Sequence, residues 1–206
     1  MNICLLGDCK SGKSSFSNSI NNKEYNKPDK TIGVDYNLVY IYEIDWKIWE
    51  LSGDKKFNAI TRNYYKQKDI FIIFFDINNI VSFKNIQYWI DQIISNTGYD
   101  NNKILLIGNK IDLERKFDII DLNMICNKYG INYVEVSIKR NINIDMCLDE
   151  IYRLAHKGGI NSNNGIVIPT NKTTSDNYIR LEDTDDHIEY KGCLYWLKSL
   201  CCFAKT

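Results

Sequence analysis

The chain has 206 residues, 44% of them hydrophobic and 25% charged, the balance of one globular domain of ordinary size with some chain to spare. Its 26 Lys and Arg residues are matched by 26 Asp and Glu residues, so no global basic field argues for nucleic acid, and none is expected as a partner. The longest strongly apolar run, residues 70–75, is far shorter than a membrane span, no secretory signal is visible, and the seven cysteines lack metal-type C-x-x-C spacing; a cytoplasmic protein with reduced thiols is expected.

In chain order, short apolar runs alternate with longer amphipathic ones. Residues 2–6 predict a strand ended by Gly7, and residues 14–22 a helix. Residues 36–44 and 46–51 predict two strands joined by a tight turn at Asp45. A buried strand is expected over 69–75, then a helix over 81–95 with Val81, Phe83, Ile86, Trp89, Ile90, Ile93 and Ile94 at helical spacing. A strand over 103–107 follows, then a helix over 119–129 that Asp121 could cap, a strand over 132–136 and a helix over 145–155. Strands alternating with helices imply an α/β fold with a mostly parallel sheet and helices on both faces, the hairpin adding one antiparallel edge strand. The pattern stops near Lys157, which predicts a folded domain over 1–157 and a flexible tail over 158–206, its first part rich in Gly, Asn, Ser and Thr.

Gly7-Asp8-Cys9-Lys10-Ser11-Gly12-Lys13-Ser14 fits G-x-x-x-x-G-K-[ST] between a predicted strand and a predicted helix, the context a phosphate-binding loop requires. Glycines let the backbone curl so that successive N–H groups face one anion. Lys13 can reach the β- and γ-phosphates, and the Ser14 hydroxyl can ligate Mg²⁺. Ser15, the next residue, joins the candidate nucleotide-binding set.

Asn109-Lys110-Ile111-Asp112 follows a predicted parallel strand, where open α/β sheets bind ligands. A carboxylate at Asp112 can accept from both N1–H and the exocyclic amine of guanine; adenine would leave it unpaired. The Lys110 stem can cover the base plane. Ser137-Ile138-Lys139 follows the last strand, where a backbone N–H could meet the guanine oxygen and Lys139 could flank the base. An ATP-dependent kinase or ATPase is disfavoured by the Asn109–Asp112 motif.

Together these residues resemble the Ras superfamily of small GTPases over about residues 1–156, a P-loop fold with a six-stranded sheet and five helices. Thr31-Ile32-Gly33-Val34-Asp35-Tyr36 resembles the Rab switch I signature, and residues 57–66, Phe57 to Lys66, resemble Rab switch II. Asp76 with Ser82-Phe83 matches a further Rab pattern. The resemblance implies a GTP/GDP switch of vesicle traffic, monomeric, meeting exchange factor, GTPase activator and effectors through both switches. It implies Mg²⁺ on Ser14 and Thr31, an aromatic such as Tyr25 on the base, and guanine reading by Asn109, Lys110, Asp112, Ser137, Ile138 and Lys139.

The pattern breaks after the third strand, where the family's D-x-x-G-Q is Glu50-Leu51-Ser52-Gly53-Asp54. Gly53 keeps a backbone N–H for the γ-phosphate. Glu50 takes the place of an Asp beside Mg²⁺, one methylene longer, so direct or distorted coordination is expected. Asp54 replaces the water-orienting Gln, lacks an amide donor and brings negative charge to an anionic phosphate. With Lys13, Gly53 and Asp54 as the catalytic set, slow hydrolysis is expected, and a hydrolysis-impaired adaptor or decoy for Rab effectors is the alternative. Cys9 and Lys10 stand where the family has small residues, the Lys10 head being expected in solvent, and Ile138 is bulkier than the family's Ala. Near the end, Cys201-Cys202 resembles Rab prenylation sites, although four residues follow it and no C-a-a-X ending is present. Lipid there, with a nearby apolar cluster, would make the protein peripheral on the cytosolic face of a membrane.

Overall fold

The computed structural model describes residues 1–21, 29–98 and 103–156, and beyond them the backbone of two short paired strands, Ile168–Pro169 and Tyr178–Ile179. Six strands form one sheet: β1 (Asn2–Gly7), β2 (Val34–Ile41), β3 (Ile44–Leu51), β4 (Ile70–Asp76), β5 (Ile104–Asn109) and β6 (Asn132–Val136), in the order β2-β3-β1-β4-β5-β6. All neighbours run parallel except β2 with β3.

The continuous apolar runs are explained by covering on both faces. On β4, Ile70, Ile72 and Phe74 face one buried cluster, with Phe16 and Ile151. Phe71, Ile73 and Phe75 face the other, with Trp89, Ile90 and Leu122. The first cluster is closed by α1 (Lys13–Ser19) and α6 (Ile144–His156), and the second by α3 (Ile80–Lys84), α4 (Ile86–Thr97) and α5 (Ile119–Tyr129). A single turn, α2 (Asn58–Thr61), lies between two 3₁₀ turns. The described residues thus hold the expected number of helices if α3 and α4 count as one.

Four expectations need correction. The hairpin turns at Tyr42 and Glu43, not Asp45, which pairs with Tyr40 inside the ladder. Both turn residues have positive φ (53° and 61°), as a two-residue hairpin of this hand requires. Tyr42 is held there by its ring contacts with Trp46 and Tyr152 and by its hydroxyl, which donates to Asp149. The expected helix over 81–95 is divided at Asn85, a turn residue with ψ of −5° between α3 and α4. The cap of α5 is Asp118, which accepts from the Ile120 amide at 2.9 Å; Asp121 lies inside the first turn. Finally, α1 ends at Ser19, short of residue 22.

The parallel strands end on one rim. Gly7, Leu51, Asp76, Asn109 and Val136 mark their carboxyl ends, and the antiparallel β2 starts at that rim with Val34 opposite Leu51. Every loop singled out by motif within the described residues leaves from this edge, where open α/β sheets take ligands.

Candidate functional site

The phosphate loop is shaped by close approach. A Cβ at Gly7 would lie 2.0 Å from the Phe74 carbonyl oxygen, and one at Gly12 2.0 Å from the Asn109 side-chain nitrogen. Both have φ above 110°, so only glycine fits without strain. Lys13 opens α1 and is buried, its ammonium donating back to the carbonyls of Gly7 (2.8 Å) and Asp8 (2.9 Å). Burial pushes its pKa down, against the pull of Glu50, Cys9 and Asp8. Ser11 has a buried hydroxyl with no hydrogen-bond partner among the described residues. Cys9 and Lys10 are exposed, as expected for the Lys10 head. Asp8 is tied from across the sheet: it accepts from the Asn85 amide at 2.8 Å and from the Trp89 indole at 2.9 Å. Asn85, at the junction of α3 and α4, therefore braces the loop through its side chain, a role no motif announced.

Ser14, Thr31 and Glu50 meet. Glu50 is 1% exposed, and its Oε1 accepts from Ser14 at 2.5 Å and Thr31 at 2.7 Å; the two hydroxyl oxygens are 3.3 Å apart. A buried carboxylate oxygen shared by two hydroxyls is a hard-oxygen donor set, and it fits Mg²⁺. Glu50 reaches both hydroxyls directly.

The rim around Asn109 is stapled from inside. Asn109 is 4% exposed; its amide donates to the Ser11 carbonyl at 2.9 Å, and its oxygen accepts from the amides of Lys110 (2.8 Å) and Ile138 (3.3 Å). One side chain thus joins the phosphate loop to the loops that follow β5 and β6. Asp112 is exposed, with one carboxylate oxygen accepting from the Ser137 hydroxyl at 2.5 Å. Lys110, at φ 73°, places its ammonium 2.5 Å from Asp76. Ile138 is buried in the core beside Gly12, so its extra bulk over Ala goes inward, while Lys139 is exposed.

The switch corner is different in character. Gly53 packs on the phosphate loop: a Cβ there would lie 2.4 Å from Cys9 N. Asp54 accepts from Lys30 at 2.7 Å and from the Lys56 amide at 3.2 Å, with the Lys56 ammonium 3.4 Å away. Chiefly through the Lys30 hydrogen bond, its carboxyl is held down to about 2. Beyond it, Tyr36, Trp49 and Tyr64 form an aromatic row, with centroid distances of 4.7 and 5.5 Å, that links switch I to switch II through β3. Trp49 carried no motif in the sequence; its pairing opposite Tyr36 is a matter of register.

The structure brings Gly7 to Ser15, Thr31, Glu50, Gly53, Asp54, Asn109 to Asp112 and Ser137 to Lys139 to one rim. Tyr25, Cys201 and Cys202 lie outside the described residues. No helix among the described residues is long and apolar enough to cross a membrane.

Comparison with known proteins places the chain in a family. The Ras family model matches residues 2–157. The Ras-related protein RabT1 of Dictyostelium discoideum is 34% identical over 166 residues, covering 76% of this chain and 75% of the relative. The Ypt/Rab-type GTPase ypt7 of Pyricularia oryzae is 30% identical, covering 75% of this chain and 82% of the relative. Human Ras-related protein Rab-27B is 27% identical, covering 75% and 79%.

Proposed function

The chain belongs to the Ras family, with Rab-type small GTPases among its relatives, and on that premise we propose that it is a guanine-nucleotide switch of membrane traffic that hydrolyses GTP slowly. The observation that carries this is Asn109. Its buried amide and oxygen tie the phosphate loop to the loops bearing Asp112 and Ser137, so one cleft offers a phosphate end and a guanine end. In this reading Gly7 to Ser15 hold the phosphates, Lys13 adds the cation, and Asp112 with Ser137 to Lys139 reads the base. Ser14, Thr31 and Glu50 would hold Mg²⁺, which when bound supplies charge neutralisation at the phosphate oxygens. Residues 1–157 form the nucleotide-binding domain and 158–206 the tail, with Cys201 and Cys202 as lipid sites and the cytosolic face of a membrane as its location.

Hydrolysis joins a water oxygen to the γ-phosphorus and breaks the bond to the β,γ-bridging oxygen, whose electron pair leaves with GDP; the water protons end on phosphate and solvent. Asp54 cannot donate an amide N–H to that geometry, which supports a slow rate. Exchange factor, activator and effectors would meet Thr31 to Tyr36 and Phe57 to Lys66, the faces joined by the Tyr36–Trp49–Tyr64 row. The test is to extract and identify the nucleotide bound to the purified chain, then follow single-turnover cleavage of GTP. Guanosine nucleotide with slow cleavage is expected; adenosine nucleotide, or cleavage as fast as ordinary Rabs, would overturn it. A second reading, an adaptor or decoy that binds GTP without cycling, draws support from Glu50 and Asp54, and a failure of added GTPase activator to raise turnover would favour it.

A further inference from the structure

Lys30 immediately precedes Thr31 and lines the same open cleft as Ser14, Thr31 and Glu50. Its ammonium lies 2.7 Å from Asp54, in the segment that follows β3. The carboxylate standing in place of a glutamine is therefore not a bare charge at the phosphate end. It is paired from switch I by Lys30 and steadied from its own side by the Lys56 amide. Thr31, next to Lys30, is meanwhile bonded to Glu50, and its carbonyl accepts from the Ser52 hydroxyl at 2.9 Å. Switch I is thus fastened to the stretch after β3 at successive residues, 30 and 31.

We propose that Lys30 is a positioning residue of the nucleotide site, clasped by Asp54 so that switch I stays closed over the phosphate end and the Asp54 charge is cancelled there. The proposal rests on the nucleotide-binding function above and adds to it a regulator within the chain. Opening switch I must break the Lys30–Asp54 pair as well as the Thr31 contacts. The clasp therefore favours the nucleotide state in which switch I is closed, the triphosphate state, over the diphosphate state. An exposed pair of this kind is weak singly and screened by salt, so the effect is modest and ionic-strength dependent.

The experiment uses the full chain loaded with a fluorescent, non-hydrolysable GTP analogue or with fluorescent GDP. Dissociation rates are compared for the unaltered chain, Lys30→Ala, Asp54→Ala, the double alanine variant, and the charge swap Lys30→Asp with Asp54→Lys. Each single variant is expected to release the analogue about threefold faster at about 0.05 M salt and to leave GDP release nearly unchanged. The double variant should be no faster than either single one, the swap should recover the original rate, and at about 0.5 M salt the differences should vanish. Single effects that multiply in the double variant, or that accelerate GDP and analogue release equally, would overturn the clasp while leaving the function intact. A chain that binds no guanosine nucleotide at all would overturn the function and the clasp with it.

Discussion

The two ends of the cleft are built by different means. At the end proposed to read guanine, loops from β1, β5 and β6 are joined through a buried asparagine, and Asp112, in the exposed turn three residues past the end of β5, is braced by the Ser137 hydroxyl. At the switch corner, the decisive groups are an exposed lysine and a half-buried aspartate on segments that meet only through side chains. Buried, fully partnered polar groups fix a geometry, because an unpaired partner inside is expensive. Exposed ion pairs adjust it by small amounts and yield to salt. In the proposed function, the choice of nucleotide would lie with the first end and the lifetime of its triphosphate with the second.

The largest effect that could break this contrast is expected from Asp112→Ala. Guanosine affinity should fall about hundredfold, roughly 3 kcal/mol, with the preference over adenosine lost. A fluorescent GDP titration with ATP as competitor measures it, and a change under threefold would mean that the base is not read there. Next comes Asn109→Ala, which leaves the Ser11 carbonyl and the Ile138 amide without their partner. A loss of about 1–3 kcal/mol is expected, seen as a thermal midpoint lower by several degrees. An unchanged midpoint would deny that the guanine end is the rigid one.

Asp54→Gln sharpens the other side. Replacing a carboxylate with a side chain that carries an amide donor should raise single-turnover GTP cleavage about tenfold. GDP affinity should hold within twofold, since Asp54 belongs to the timing end. The smallest effect concerns pH. A carboxyl whose folded pKa is depressed stays ionised above that value, and Asp54 is held at about 2. Cleavage followed between about pH 5 and pH 8 should therefore show no step from Asp54, and a step that disappears in Asp54→Gln would contradict the pairing with Lys30.

Much of this was legible beforehand. Alternating faces on β4 and the apolar stripe of α4 set the sheet and its two cores. The phosphate-loop and Asn109–Asp112 motifs named loops that the structure brings together through Asn109 and Ser11. The hairpin turn is not legible in the sequence because Tyr42 and Glu43 are not among the residue types that usually accept positive φ; aromatic packing against Trp46 and Tyr152 holds Tyr42 there. The interruption at Asn85 was invisible because apolar spacing runs through it unbroken. Trp89, expected as a core residue by that spacing, is buried as expected, but its indole also serves Asp8.

By itself the sequence determined the chemistry that depends on contiguous backbone. A glycine-bounded curl before a helix, or an aspartate three residues past a strand-end asparagine, is local geometry, and local geometry follows from neighbouring residues. Only the tertiary structure decided which distant side chains meet: Asn109 with Ser11 across 98 residues, Trp89 with Asp8 across 81, Lys30 with Asp54 across 24. Those meetings depend on strand order and register, which arise from the packing of the whole sheet rather than from any segment of it.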